Sequence, residues 1–331
     1  MTGDPNRQIN LGFDTRHYEK TGQSRLRTFS FNSFQFPACE KCNSEFSDME
    51  NKVKVLFERI FRKDYFSNTE IDLLLDWFDK VRVGLWLGSI SLDNFVDLVK
   101  PKYHIKNRIS HRDRCLFIYE LQESTETGIQ FIGFNSPGFQ FIPSCFTLRV
   151  NNICFYNYSF DFLFSKNIGF PYPKTHRYDE ESRYIQVDLD KGIKKISNPL
   201  INQKFLKAAT YIYQPIIPTE VLGVEEENVY TNNSYVKENC MDFRRGKGDI
   251  FYFDKELKKL DNETDISLYE GAQNYDPDIF LSSIAKQTFN SLENLLKLKP
   301  HLALKDKLKR EAIEANRLTV LKAHRDYTSL L

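Results

Sequence analysis

The sequence predicts an α+β fold, and three observations carry that expectation. Between Ser47 and Val99 apolar residues recur at three- and four-residue spacing, the period of helices with one buried face. From Arg114 the period shortens to two, as in strands whose side chains alternate between faces. After Asp276 the helical period returns and holds to Tyr327. Helices, then an antiparallel sheet, then a helical C-terminus is the segregated order of an α+β protein.

Each element has its own signal. Leu26, Phe29, Phe31, Phe34 and Phe36 recur mostly at period two and read as one or two short strands before Pro37. Ser47-Asp48-Met49-Glu50 has the form of a capping box, and Met49, Val53, Leu56, Phe57 and Ile60 follow as a helical stripe. A second helix begins near Asn68 or Thr69 and carries Ile71, Leu74, Leu75, Phe78, Val81 and Leu85, with Trp77 and Trp86 as core residues. A third, shorter helix is expected from Leu92 to Val99, before Pro101. Cys115–Tyr119, Ile129–Phe134 and Phe139–Ile142 read as strands. So do Phe146–Val150 and Ile153–Tyr158, which flank Asn151-Asn152, a dipeptide that tolerates the positive φ of a tight hairpin. Pro171, Pro173 and the acidic run Asp179-Glu180-Glu181 mark a boundary or surface excursion. Residues 185–275 show isolated strand and helix fragments. Asp276-Pro277 opens a helix to about Lys297, and Pro300 opens another reaching Tyr327. Three segments follow: 1–65, with a Cys-x-x-Cys-Asn turn and a helix; 66–200, with helices and an antiparallel sheet; and 201–331, a mixed region ending in two helices.

Composition narrows the classes. The chain has 331 residues, 41% of them hydrophobic, with 28 Phe and 17 Tyr, enough for substantial aromatic cores. Net charge is +1, so no global field draws it to nucleic acid or membranes, and any such surface must be local. No 18-residue apolar segment occurs, because Arg82 and two glycines interrupt Val81–Leu92; a membrane-spanning helix is not expected. The N-terminus lacks the apolar run of a signal peptide, and of six cysteines only two are closely paired. Both features point to a reducing, cytoplasmic setting.

Those two cysteines belong to Cys39-Glu40-Lys41-Cys42-Asn43, set between the alternating run and the first helical stripe. Three readings of the pair compete. At a strand-to-helix turn both sulfurs can face one zinc ion at about 2.3 Å, supplying half of a four-ligand site. The same context suits a redox dithiol, although Glu40 and Lys41 lack the small or Pro residue usual there and no βαβ pattern precedes them. The third reading is two half-buried thiols at a turn. Cys115, Cys145, Cys154 and Cys240 are isolated among apolar residues and read as buried free thiols.

The string Phe36-Pro-Ala-Cys-Glu-Lys-Cys-Asn-Ser-Glu-Phe-Ser-Asp-Met-Glu50 resembles the second half of an HNH, or ββα-metal, nuclease motif, with Asn in its third position. The resemblance implies an N-terminal ββα-metal-like zinc-knuckle remnant. Asn43 would be the helix-start ligand of a catalytic Mg²⁺ or other divalent cation. Cys39 and Cys42 would be half of a structural Zn²⁺ site. The implied reaction is hydrolysis of a DNA phosphodiester, in which a metal stabilises the leaving oxygen and a neutral imidazole deprotonates water. No cysteine precedes Cys39, and the family's Glu-His-Ile-Pro-like segment is missing, so the chain reads as beginning inside the pattern or as a degenerate copy without activity. His17, 22 residues before Cys39, is the candidate general base, and Asn32 the candidate middle Asn.

Local basic elements extend the nucleic-acid reading. Lys100, Lys102, Lys106, Arg108, Arg112 and Arg114 crowd one stretch against only Asp113, with His104 and His111, suited either to a phosphate backbone or to a solvated connection. From Lys297 to Asp326 there are nine Lys or Arg against four Asp or Glu along an apolar stripe, which reads first as a helix packed on its own protein or on a protein partner. Arg244-Arg245-Gly246-Lys247-Gly248 is a small basic turn without the spacing of a phosphate loop. The alternative to a nuclease is a non-enzymatic, zinc-stapled binding protein; it would bury Asn43 as a helix cap, where a nuclease would leave it open.

Overall fold

The structure, a computed structural model, describes residues 8–13, 17, 20–23, 26–30, 40–92, 105–122, 128–160, 172–181, 184–190, 210–216, 240–242, 246–254, 256–268, 275–298 and 307–329. Its core is a nine-stranded sheet covered by helices on both faces. The strands are β1 (Gln8–Phe13), β2 (Leu26–Ser30), β4 (Arg114–Glu120), β5 (Ile129–Ile132), β6 (Cys145–Val150), β7 (Ile153–Tyr158), β10 (Thr210–Gln214), β13 (Phe251–Asp254) and β14 (Glu256–Lys259). Their order is β14-β13-β10-β4-β7-β6-β5-β1-β2, antiparallel throughout except for the parallel pair β1–β5. Each of the segments 1–65, 66–200 and 201–331 contributes strands to this one sheet.

Smaller ribbons lie outside it. β3 (Tyr65–Phe66) pairs with β15 (Ile266–Ser267), and β11 (Cys240–Asp242) pairs with β12 (Lys247–Gly248). β8 (Tyr172–Asp179) pairs with β9 (Tyr184–Asp190), so the acidic excursion expected near 179–181 is the tip of a hairpin.

Two long helices, α1 (Glu40–Phe61) and α2 (Asn68–Leu92), cover one face. Phe57 of α1 and Phe78 of α2 meet Phe155 edge-on or tilted, with ring centroids 5.4 and 5.5 Å apart, and Phe78 also reaches Phe146. Trp77 packs edge-on against Phe57 at 5.1 Å. The opposite face carries α4 (Pro277–Lys297), through Thr288 against Thr147 and Ser291 against Tyr156. The last helix, α5 (Lys307–Thr328), packs on α4 and on the short α3 (Pro137–Phe141). The sheet is buried on both sides, so β4, β6 and β7 are closed to solvent at nearly every position.

Several expectations hold. α2 starts at Asn68, α4 starts at Pro277 with Asp276 Oδ1 accepting from Ile279 N at 3.1 Å, and the β6–β7 turn holds Asn151 at φ 52°. Asn151 Oδ1 also accepts from Gly128 N at 3.0 Å, which ties the turn to the entry of β5. Others are corrected. The first helix begins at Glu40 and not at Ser47; the Ser47 hydroxyl donates to Asn43 C=O at 3.0 Å, an internal i−4 bond and not a cap. The capping box stands at the second helix, where Ser67 N donates to Glu70 Oε2 at 3.0 Å and Ser67 Oγ accepts from Glu70 N at 3.4 Å. Phe139–Ile142, read as a strand, falls mostly in α3, because Ser136 caps the turn and Pro137 pre-sets its φ. Cys115, Cys145 and Cys154 are buried free thiols as expected. The helix expected at 92–99, the start of the last helix near Pro300, and Phe31–Cys39 with Asn32 lie outside the described residues.

Candidate functional site

Two places in the fold concentrate chemistry. The first is the start of α1. β1 and β2 pair antiparallel, with helical backbone at His17, Lys20 and Thr21 in the connection, and α1 is the next element among the described residues. Cys42 and Asn43 sit in the first turn of the helix, and Asn43 is exposed. Its peptide carbonyl accepts from the Ser47 hydroxyl at 3.0 Å. Cys39 and the side chain of Cys42 lie outside what the structure describes. His17, half-buried, precedes β2 in the connection between the strands, and its carbonyl accepts from Thr21 Oγ1 at 2.8 Å.

Salt bridges hold this end of α1 against its neighbours. Lys80 of α2 bonds Glu50 and stands 5.2 Å from the centre of the Phe46 ring. Burial pushes the Lys80 ammonium down to about 8. Lys106 donates to Glu45 Oε2 at 2.9 Å, and that hydrogen bond draws Glu45 below the ordinary carboxylate range. Among the residues expected to hold nucleic acid, Lys106 is therefore paired within the chain. Arg108 is exposed on a 3₁₀ turn, Arg112 lies 5.7 Å from the Phe160 ring centre, and Lys100 and Lys102 lie outside the described residues. Arg114, read as part of the same stretch, is instead buried and bonded to aspartates of α2. Among the described residues no group of three or more His, Cys, Asp or Glu is placed to hold a metal ion.

The second place went unread in the sequence. α2 presents Asp72, Asp76, Asp79 and Arg82 at helical spacing toward the end of the sheet where β4 begins. Arg114 bonds Asp76 through one arm, and through the other reaches Gln214 and Asp72, the last at 2.7 Å. Lys247, from the basic turn, places its ammonium 2.8 to 3.2 Å from both oxygens of Asp72 and both of Asp76. Arg82 donates to Asp79 at 2.6 Å, and Ser110 N donates to Asp79 Oδ2 at 2.9 Å. Gln214 Nε2 donates to Gly248 O at 2.9 Å, which locks the Lys247 turn to β10.

The titration of these carboxylates follows from their neighbours. Burial alone would raise Asp76, but Arg114 and then Lys247 outweigh it and hold the group below its ordinary value. At Asp79 burial wins over Arg82 and Arg114, and the group is raised. The Asp72 and Asp76 oxygens are engaged by cations of the chain itself. This network joins α2, β4, β10 and β12; it has the composition of a structural ion cluster and leaves no ligand set open for a metal. A signal existed in the sequence: Arg82 lies within the apolar stripe of α2, with aspartates three, six and ten residues before it.

No family model, no curated protein and no solved structure matches this chain. Among the described residues no helix is long and apolar enough to cross a membrane.

Proposed function

We propose that the chain is an HNH-like, metal-dependent DNA endonuclease or a degenerate copy of one, with its chemistry at the start of α1. One observation carries the reading. Antiparallel strands lead into a helix whose first turn, just after the second cysteine, presents an exposed asparagine. A binding module with Asn43 as a buried cap is the rival, and the exposure of Asn43 favours the nuclease. The donor types fit in part: Asn43 offers a hard carboxamide oxygen suited to Mg²⁺ or Mn²⁺, and Cys39 with Cys42 offers two thiolates suited to zinc. Bound there, a divalent cation would supply charge stabilisation to a phosphodiester. His17, on the connection between β1 and β2, would be the base that takes a proton from water.

The test is nicking of supercoiled plasmid with Mg²⁺ or Mn²⁺, run beside zinc analysis of the purified protein. We expect nicking that falls by about 10²-fold or more in Asn43→Ala and in His17→Ala, the scale of losing one catalytic group. Zinc should co-purify with the wild type and be lost from Cys39→Ser/Cys42→Ser. A protein that carries no zinc and nicks no DNA rules the reading out. Zinc without nicking leaves the degenerate copy.

A further inference from the structure

At the sheet end where β4 begins, five fully buried polar atoms have no protein partner: Arg82 Nη1, Arg114 Nε, Ser144 Oγ, Asn157 Oδ1 and Ser159 Oγ. They fall together. Cys115 and Cys145 both stand opposite Tyr158, so one residue further on, Arg114, Ser159 and Ser144 form a single row across β4, β7 and the start of β6. Ser159 N donates to Ser144 O at 2.7 Å and closes that row. Asn157 lies two rows along, between Leu116 and Phe146, with the Cys115–Tyr158–Cys145 row intervening and facing the other side. Strand parity puts all four on the face toward α2: Phe155 and Phe146, two residues from Asn157 and Ser144, touch Phe78, and Arg114 bonds Asp76. Arg82 is one turn beyond Phe78 and one turn before Trp86, whose Nε1 donates to Gln140 O at 2.8 Å, so it lies over the same corner.

Cross-strand neighbours stand about 5 Å apart, and at that spacing these five atoms make no bond to each other; a bridging molecule spans such a gap. Two features select the ligand. The set mixes donors, an acceptor and hydroxyls that are both, whereas an anion needs donors alone. The charges are already matched, since Arg82, Arg114 and Lys247 are bonded to Asp79, Asp76 and Asp72, and a further buried charge would be uncompensated. We infer that this corner is a built site for ordered internal water, held between Arg82 above and the Arg114–Ser159–Ser144 row with Asn157 below. At about three hydrogen bonds per buried water, five unpaired atoms call for roughly two molecules. The site does not depend on the nuclease reading.

A crystal structure at about 1.8 Å or better, with oxygen-17 relaxation dispersion in solution, tests it. We expect density peaks about 2.6–3.2 Å from Arg82 Nη1, Arg114 Nε and Asn157 Oδ1, and long-lived water whose dispersion amplitude drops in Ser144→Ala/Ser159→Ala. Three results overturn the inference: a dry corner in which the five groups bond each other, a chloride or phosphate in their place, or an amplitude unchanged in the double variant. The wild-type map decides the matter if the variant does not fold.

Discussion

Lys247 brings one ammonium against four carboxylate oxygens in a place almost closed to water. Removing one member of such a cluster leaves charge buried without compensation, which costs far more than the intact pair contributes. Lys247→Met is therefore expected to lower stability by about 3 kcal/mol, read as a shifted midpoint in guanidinium denaturation. A loss below about 1 kcal/mol, the scale of an exposed pair, would mean the cluster is solvated. His324 poses a different constraint. Its Nδ1 accepts from Gly138 N at 3.3 Å and its Nε2 pairs with Phe289 O at 3.0 Å, which assigns the neutral ring with the proton on Nε2. Burial lowers its pKa; the Phe289 carbonyl and Glu293 oppose that shift and do not overcome it. The unfolded ring takes up its proton first, near pH 6.5, so the contribution is whole above that pH and is lost on acidification. Melting of the wild type should thus fall between pH 7.5 and 5.5 more steeply than melting of His324→Gln. Parallel curves would show that His324 does not titrate between the folded and unfolded states.

At the scale of elements, two serines of similar local sequence behave oppositely. Ser67 satisfies the free N–H groups of α2 in a reciprocal box with Glu70, whereas Ser47 lies inside α1 and bonds back to Asn43. Ser67→Ala should cost about 1 kcal/mol, the usual worth of a cap, while Ser47→Ala should change stability by less than about 0.5 kcal/mol. Urea denaturation of the two variants side by side checks this, and equal losses would return the start of the helix to Ser47. The misplacement has a physical origin. Both sites match Ser-x-x-Glu, but Glu40 to Phe46 carry few apolar residues, so periodicity cannot register that first part of α1. Its hold on the fold comes from Lys80 and Lys106, which are distant in sequence.

For the whole molecule the governing fact is that a single sheet draws strands from residues 8–30, 114–158 and 210–259. β4 sits between β7 and β10, and α2 is joined by ions to β4, β10 and β12, so no segment carries a complete core of its own. Unfolding is therefore expected as one cooperative transition by fluorescence and far-ultraviolet dichroism together. Two separated transitions would identify an independent unit and contradict the shared core.

The sequence by itself determined what is local. Periodicity placed α2, β4, β6, β7 and α4; Asn151-Asn152 set the hairpin and Asp276-Pro277 the helix start, because caps, turns and amphipathic faces are decided within a few residues. The exposed Asn43 beside Cys42 was likewise readable as a candidate. Tertiary structure alone decided the rest. It set the strand order, placed α3 where a strand was expected, and converted the basic turn at Lys247 into a buried staple for aspartates 171 and 175 residues away in the chain. Such pairings depend on which distant surfaces exclude water together, and no local pattern records that.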